Sequence, residues 1–407
     1  VLSCTSRLDA DVDPAVVGRR TGLLWSGHGL VLAGCGEAAR IPVVRPTGAV
    51  AAAAELAGLA GPDEVGAPGT GPVAFGAFPF DPAAPGELVV PEVVIGRSAD
   101  GRRWLTVVGR AGEVGPTAAL ALARAAAAAP PVVEPTRFEV SAAQAPAAWM
   151  EAVARLRNRI AAGELTKAVL ARRLDVATDG PIDVAAVLQR LLRSFPTSIV
   201  FAVDGFIGAS PELLVGRTGD VVRAHPLAGT APRSADPAAD AGLAASLLAS
   251  AKDRWEHQVT IDWLLDTLLP FCSYVDAEPE PSLVSLANVH HLGTLVEGRL
   301  SAPPASALEL VAALHPTPAV GGDPQERALA AIAELEPTGR GRYAGPVGWV
   351  DGAGNGQFAV GIRSAQIAGR HAHLFAGAGV VADSDPAAEL AETRAKFSAL
   401  LGALLTP

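Results

Sequence analysis

Along the first ~135 residues, short apolar runs alternate with Gly and Pro turns: Leu23 to Trp25, Leu30 to Leu32, Leu88 to Val94 and Trp104 to Val108. This part reads as β-rich. Gly115 to Ala129 predicts a helix closed by Pro130-Pro131, and Trp149, Val153, Leu156 and Ile160 recur at helical spacing in the next one. A meander follows. Lys167 to Val176 reads as a strand with Lys167, Val169, Ala171 and Arg173 on one face, and Ile199 to Val203 and Phe206 to Val215 flank the hairpin signal Asp204-Gly205. Val221 to His225 is a further strand, Ala238 to Leu269 a long helical region, and Val289 to Val296 strand-like. A helix containing Leu308 and Val311 ends at Pro316, and Tyr343 to Val350 and Gln357 to Ile362 bracket a Gly-rich turn. The strand His371 to Ala376, a turn at Gly377-Ala378-Gly379 and a helix from Pro386 to Leu401 complete the pattern. Strands in meanders outnumber helices, which predicts a mixed α+β fold with large antiparallel sheets and excludes a doubly wound nucleotide fold.

Composition narrows the partners. In 407 residues, a net charge of −10 argues against nucleic acid or an anionic membrane surface. No apolar run approaches the ~18–20 residues of a membrane span. Val1 to Ala10 lacks a basic start and a long apolar stretch, so no signal peptide is expected. Three scattered cysteines (Cys4, Cys35, Cys272) suit neither a disulfide framework nor zinc, and a reducing cytoplasm is expected. The basic residues are more pointed: of 32, only Lys167, Lys252 and Lys396 are lysines. Where arginine serves as the generic cation, the surviving lysines are candidates for work a guanidinium cannot do, such as releasing a proton near neutral pH.

Three clusters carry candidate chemistry. Glu389, Glu392 and Lys396 fall at i, i+3 and i+7 on one face of the last helix, below the bare backbone of Gly377-Ala378-Gly379. Such a set could hold Mg²⁺ and a carboxylated substrate together, or be a solvated face with a salt bridge. Lys252 and Glu256 lie four apart and could be a routine surface pair, but the helix is largely apolar and a buried carboxylate there needs a partner; Mg²⁺ shared with Glu392 is one. Lys167 sits among apolar strand residues and Glu212 follows Pro211 before Leu213-Leu214-Val215. Desolvation favours a neutral amine and a protonated carboxyl. A base and an acid from adjacent strands suit addition of water at one carbon and loss of hydroxide from another; a buried Lys–Glu ion pair is the alternative. His371 and His373 share a strand face and His290-His291 point opposite ways, neither at zinc spacing. There is no Walker loop and no Gly-x-Ser-x-Gly elbow.

Taken together, the chain resembles the chorismate-utilising enzymes, and among them the isochorismate synthases. The likeness is carried by LTKAVLARR from Leu165, GASPELLV from Gly208, HPLAGTAPR from His225, SAKDRWEH from Ser250, VHHLGT from Val289, LHPTPAVGG from Leu314, GRYAGPVGW from Gly341, FAVGIRSA from Phe358 and AGAGVVADSDPAAELAETRAK from Ala376. LLWSGHGLVLAGCGEAARI from Leu23 and AFGAFPFDP from Ala74 extend it over most of the chain. The resemblance implies a single large chorismate-binding domain of two big antiparallel sheets flanked by helices. Residues 1–138 would form its N-terminal β-rich part and 139–407 its catalytic part. It implies that Lys167 activates water and Glu212 protonates the departing C4 hydroxyl, with Mg²⁺ on Glu256 and Glu392 and, through water, Glu389. Gly229, Thr230 and Lys396 would lie near the ring carboxylate, and Arg363, Tyr343 and the Gly377 backbone would take the enolpyruvyl carboxylate. His291 and Thr294 would line the ring pocket.

Within that family, Lys167 points to water rather than ammonia as nucleophile, against the anthranilate synthases. Ala228 stands where aminodeoxychorismate synthases have lysine. Salicylate synthases share the base, acid and metal ligands and then eliminate pyruvate; the segment from His315 to Gly322 looks like isochorismate synthases instead. A non-catalytic chorismate-binding protein is the reading from another class, and the intact Lys167, Glu212, Glu256 and Glu392 speak against it. Gln357 departs from the family's usual Glu, with little consequence expected. Chorismate is the expected small-molecule partner. A monomer without a glutamine amidotransferase subunit is expected, and downstream enzymes decide whether the product feeds menaquinone, a siderophore or salicylate.

Overall fold

The last residue of one strand and the first of the next repeatedly belong to different sheets, and these crossings shape the molecule. The computed structural model describes residues 2–44, 47–109, 115–286 and 289–405. Among them, a 12-stranded and a 9-stranded sheet, with a third of three strands, are antiparallel throughout. Strands from the N-terminal part, such as Leu24–Gly27 and Leu30–Cys35, lie in the larger sheet, and Ala39–Val43, Val73–Ala77 and Gly86–Val90 lie in the second. Each big sheet therefore takes strands from both halves of the chain. Trp25, Phe75, Phe201 and Trp349, all fully buried, pack between the two sheets. Trp25 Nε1 donates to Gln357 Oε1 at 3.1 Å, so the departure at Gln357 is absorbed by an inter-sheet hydrogen bond.

Several predicted elements are divided. The run Phe206 to Val215 is two strands, Phe206–Ser210 in the larger sheet and Leu213–Thr218 in the second; Pro211, which cannot donate to a ladder, marks the switch. The region from Ala238 to Leu269 is two helices, Pro237–Ala249 and Ala251–Leu268, and Ser250 between them caps the second by accepting from the Asp253 amide at 3.2 Å. Val289 to Val296 divides into Val289–Gly293, in the small sheet, and Val296–Leu300. The expected turn at Gly377-Ala378-Gly379 is strand instead: His371–Val380 is continuous and pairs with Lys167–Thr178 from Ala168↔Val380 to Ala177↔His371. The N-terminal part also contains helices Pro14–Thr21 and Gly48–Ala57, and Val184–Ser194 and Gln325–Leu335 are further helices. Pro14–Thr21 had its signals in sequence, with Asp13 as cap, Pro14 in the first turn and Gly22 at the stop. Gly48–Ala57 is alanine-rich without a sharp apolar stripe, so periodicity misses it.

Candidate active site

The C-terminal crossings converge on a cavity of about 950 Å³, part of it open to solvent. Lys167 begins the strand Lys167–Thr178 and Glu212 sits on the crossing between Ser210 and Leu213, each 3% exposed. They do not come from adjacent strands, as the sequence suggested; a strand of the larger sheet and the crossing between the two big sheets bring them to one space. The helix Ala251–Leu268 brings Lys252 and Glu256, and Pro386–Leu405 brings Glu389, Glu392 and Lys396. Gly229, Thr230, His291, Tyr343, Arg363 and Gly377 complete the expected lining. Thr294 does not line it. Its hydroxyl lies 2.7 Å from His257 Nε2, and both residues are buried behind Glu256.

The carboxylates and lysines are paired. Lys167 Nζ lies 2.5 Å from Glu256 Oε1, so the buried ion pair that the sequence left open exists, with Glu256 rather than Glu212 as the partner. Glu256 likewise pairs with Lys167 and not with Lys252 one helical turn before it. Lys396 pairs with Glu392 within its helix and donates to the Gly377 carbonyl at 2.9 Å. Burial pushes the Glu212 carboxyl up to about 7, against the opposing pull of the Leu227 amide and of Lys167, Arg363 and Lys396. Glu212 is thus an acid that still holds its proton near neutrality. Burial and then the charge of Glu392 push Glu389 up to about 7 as well, while its Oε1 accepts from Ser384 Oγ at 2.8 Å.

On the opposite wall, the His291 Nδ1–H donates to the Gly229 carbonyl at 2.9 Å, and its Nε2 accepts from Arg363 Nη2 at 3.2 Å. Burial, reinforced by the Arg363 guanidinium, lowers His291 to about 3, so the ring is neutral with a fixed tautomer. Arg363 has φ +51, a left-handed backbone costing about 1–3 kcal/mol, and its buried Nε has no partner among the described residues. A buried guanidinium with a free donor fits a planar carboxylate. Tyr343 stacks on Phe375 at 5.3 Å between ring centres, and the Gly377 amide meets its hydroxyl. His290 turns the other way, to Asp240 (3.1 Å) and Ser285 (2.9 Å) in the small-sheet lobe.

The two glycines of the expected turn form the cavity floor. A Cβ at Gly379 would lie 3.0 Å from Glu256 Oε1 and 3.3 Å from Lys167 Cε; one at Gly377 would lie 3.0 Å from Val169 Cγ1 and 3.3 Å from Tyr343 Oη. Their bareness makes room between strand and helices. The lining also contains residues the sequence reading did not assign, among them Val169, Ala319, Val320, Arg340 and Ile362. Nothing in composition singles out one arginine among many, and the apolar ones look like ordinary core.

The carboxylates fit a hard divalent cation in kind: three oxygen donors share one cavity, and Glu389 and Glu392 repel each other there. Among the described residues, no three His, Cys, Asp or Glu side chains are gathered closely enough to hold a metal; Glu256 and Glu392 face lysines. Also among the described residues, no helix is long and apolar enough to cross a membrane.

The chain matches the family model described as chorismate binding enzyme over residues 19–405. It is 40% identical over 349 residues to isochorismate synthase DhbC of Bacillus subtilis, covering 82% of this chain and 81% of the relative. Isochorismate synthase MenF of the same organism is 38% identical over 358 residues, covering 82% and 75%. Among solved structures, the menaquinone-specific isochorismate synthase MenF of Escherichia coli superposes with a TM-score of 0.81 at 26% identity, covering 99% of this chain and 94% of that one.

Proposed function

Because this chain belongs to the chorismate-binding enzyme family, we propose that it is an isochorismate synthase. It converts chorismate to isochorismate by adding water at C2 and expelling the C4 hydroxyl. The observation that carries this reading is that Lys167 and Glu212, both almost fully buried, face one cavity, and that Glu212 keeps its proton up to about 7. Lys167, once its proton has gone, takes one from the attacking water; Glu212 gives its proton to the leaving hydroxyl. The base and the acid are separate groups, so neither has to exchange its proton with the other during the step.

Arg363 receives a carboxylate with its unpaired Nε, while His291, neutral and held by Gly229, keeps the guanidinium aimed and leaves the pocket's positive charge to the cations. Tyr343 and the Gly377 amide stand beside it. Lys396, which donates to the Gly377 carbonyl at 2.9 Å, lines the same cavity as Gly229 and Thr230 and is proposed to lie near the ring carboxylate. Mg²⁺ would be held by Glu256 and Glu392, with Glu389 helping, and would supply positive charge to anchor the ring carboxylate and neutralise the acidic cluster. For that, Glu256 would have to release Lys167 and Glu392 to release Lys396, which would free both amines for the substrate and water. The protein is further proposed to act in the cytoplasm, as a monomer needing no glutamine amidotransferase subunit.

Product analysis tests the reading. Purified protein with chorismate and Mg²⁺, resolved by chromatography with and without ammonium, is expected to yield isochorismate alone. Salicylate with pyruvate, or anthranilate when ammonium is present, would move the chain to a neighbouring activity, and no turnover would leave a binding protein.

A further inference from the structure

Lys167 stands at the start of a strand whose second edge is largely open. The His371–Val380 strand covers one side of Lys167–Thr178. On the other, Gly322–Asp323 pairs only with Lys167 and Ala168, and Phe138–Ala142 begins only at Leu174. Between them the main chain has no strand partner, and buried backbone groups left without hydrogen bonds are costly.

The Val169 amide donates to the Gly321 carbonyl at 2.9 Å and the Ala171 carbonyl accepts from Trp149 Nε1 at 3.3 Å; two side chains from the end of the Gln325–Leu335 helix region serve the Ala171 amide and the Val169 carbonyl. Glu336 Oε1 accepts from the Ala171 amide at 2.7 Å, and Arg340 Nη2 donates to the Val169 carbonyl at 2.6 Å. The two are joined as a fork, Nε to Oε2 at 2.9 Å and Nη2 to Oε1 at 2.6 Å, with side chains 2% and 7% exposed. Arg340 Nη1 donates to the Val320 carbonyl at 2.8 Å, tying down a cavity wall, and the guanidinium lies 4.1 Å from the centre of the Phe80 ring. Arg340 lines the cavity, yet each of its nitrogens already serves an acceptor of the protein.

We propose that Arg340 and Glu336 are a positioning pair that completes the open edge of the Lys167 strand and so sets where the Lys167 amine stands, and that Arg340 does not bind substrate. The proposal rests on Lys167 acting on the substrate as described above. A guanidinium is needed because one planar group must reach Glu336 twice and two carbonyls in different directions; an ammonium on a flexible stem cannot hold that geometry.

The test compares wild type, Arg340→Lys and Glu336→Gln by steady-state kinetics on chorismate and by hydrogen exchange of the Ala171 amide. Arg340→Lys is expected to lower kcat by about 10–100-fold, as small displacements of a catalytic group do, with KM changed by less than about threefold. Ala171 exchange should quicken by about tenfold or more in the same variant, because its acceptor Glu336 has lost its anchor. Glu336→Gln keeps an acceptor for that amide and should lie between wild type and Arg340→Lys in both measurements. A rise in KM with kcat unchanged would make Arg340 a substrate contact and overturn the proposal, as would a fall in kcat with Ala171 exchange unaltered. Should Arg340→Lys fail to fold, Glu336→Gln carries the same two readouts. Exchange is read without substrate, so a wild type that makes no isochorismate would refute the functional reading while the edge role is still judged.

Discussion

Glu212 and Arg363 leave the two big sheets at the same crossing. The Val360 amide donates to the Glu212 carbonyl at 3.1 Å, the Ala209 amide donates to the Arg363 carbonyl at 3.2 Å, and Ser210 Oγ bridges to the Val360 carbonyl at 2.7 Å. The proposed proton donor and the proposed carboxylate receptor are therefore tied to one another through main chain.

Glu212 has to be protonated to act as the acid, and its carboxyl is raised to about 7. With Lys167 unprotonated, kcat/KM should fall about tenfold per pH unit above that value. Glu212→Gln should lower kcat by about 10²–10⁴-fold and abolish that limb. A pH–rate profile of both proteins checks this; a wild-type rate undiminished at pH 9 would remove Glu212 from the acid role.

Lys167→Ala should abolish hydration while Mg²⁺-dependent binding of chorismate persists, and Glu256→Ala should lose both. Calorimetry for binding and chromatography for isochorismate separate the two functions. Isochorismate formed at the normal rate by Lys167→Ala would show that the base lies elsewhere.

A methyl group at residue 379 would press on Glu256 Oε1 from 3.0 Å and on Lys167 Cε from 3.3 Å. Gly379→Ala should thus cut kcat by about 10–100-fold. Its circular dichroism should match wild type, since residue 379 lies in a regular strand that alanine can occupy.

Glu389 predicts a dependence of stability on pH. Its carboxyl rises from 4.5 unfolded to about 7 folded, so between those values the folded chain holds a proton that the unfolded chain has released. Stability then falls as pH climbs through this window and levels off above about 7, a loss of at most about 3 kcal/mol. In EDTA, Glu389→Gln should melt higher than wild type at pH 8, with the gap closing below pH 4.5. Equal melting temperatures at pH 8 would mean that the carboxyl is not strained by burial and Glu392.

The sequence by itself singled out the groups able to do chemistry. Three lysines in an arginine-rich chain, the Glu389–Glu392–Lys396 face and the glycines before it all depend on residue type and local spacing, which a helix or strand translates directly into a shared face. Family-like strings placed most of the remaining lining, with Thr294 the exception. Tertiary structure alone decided who meets whom. That Lys167 pairs with Glu256, that Glu212 sits on the crossing between the sheets, that Gly377 to Gly379 run on as strand, and that Arg340 serves main chain all follow from long-range packing and strand pairing. Local pattern cannot carry this, because a period of two says which face a residue takes and nothing about the strand, side chain or sheet that will lie against it.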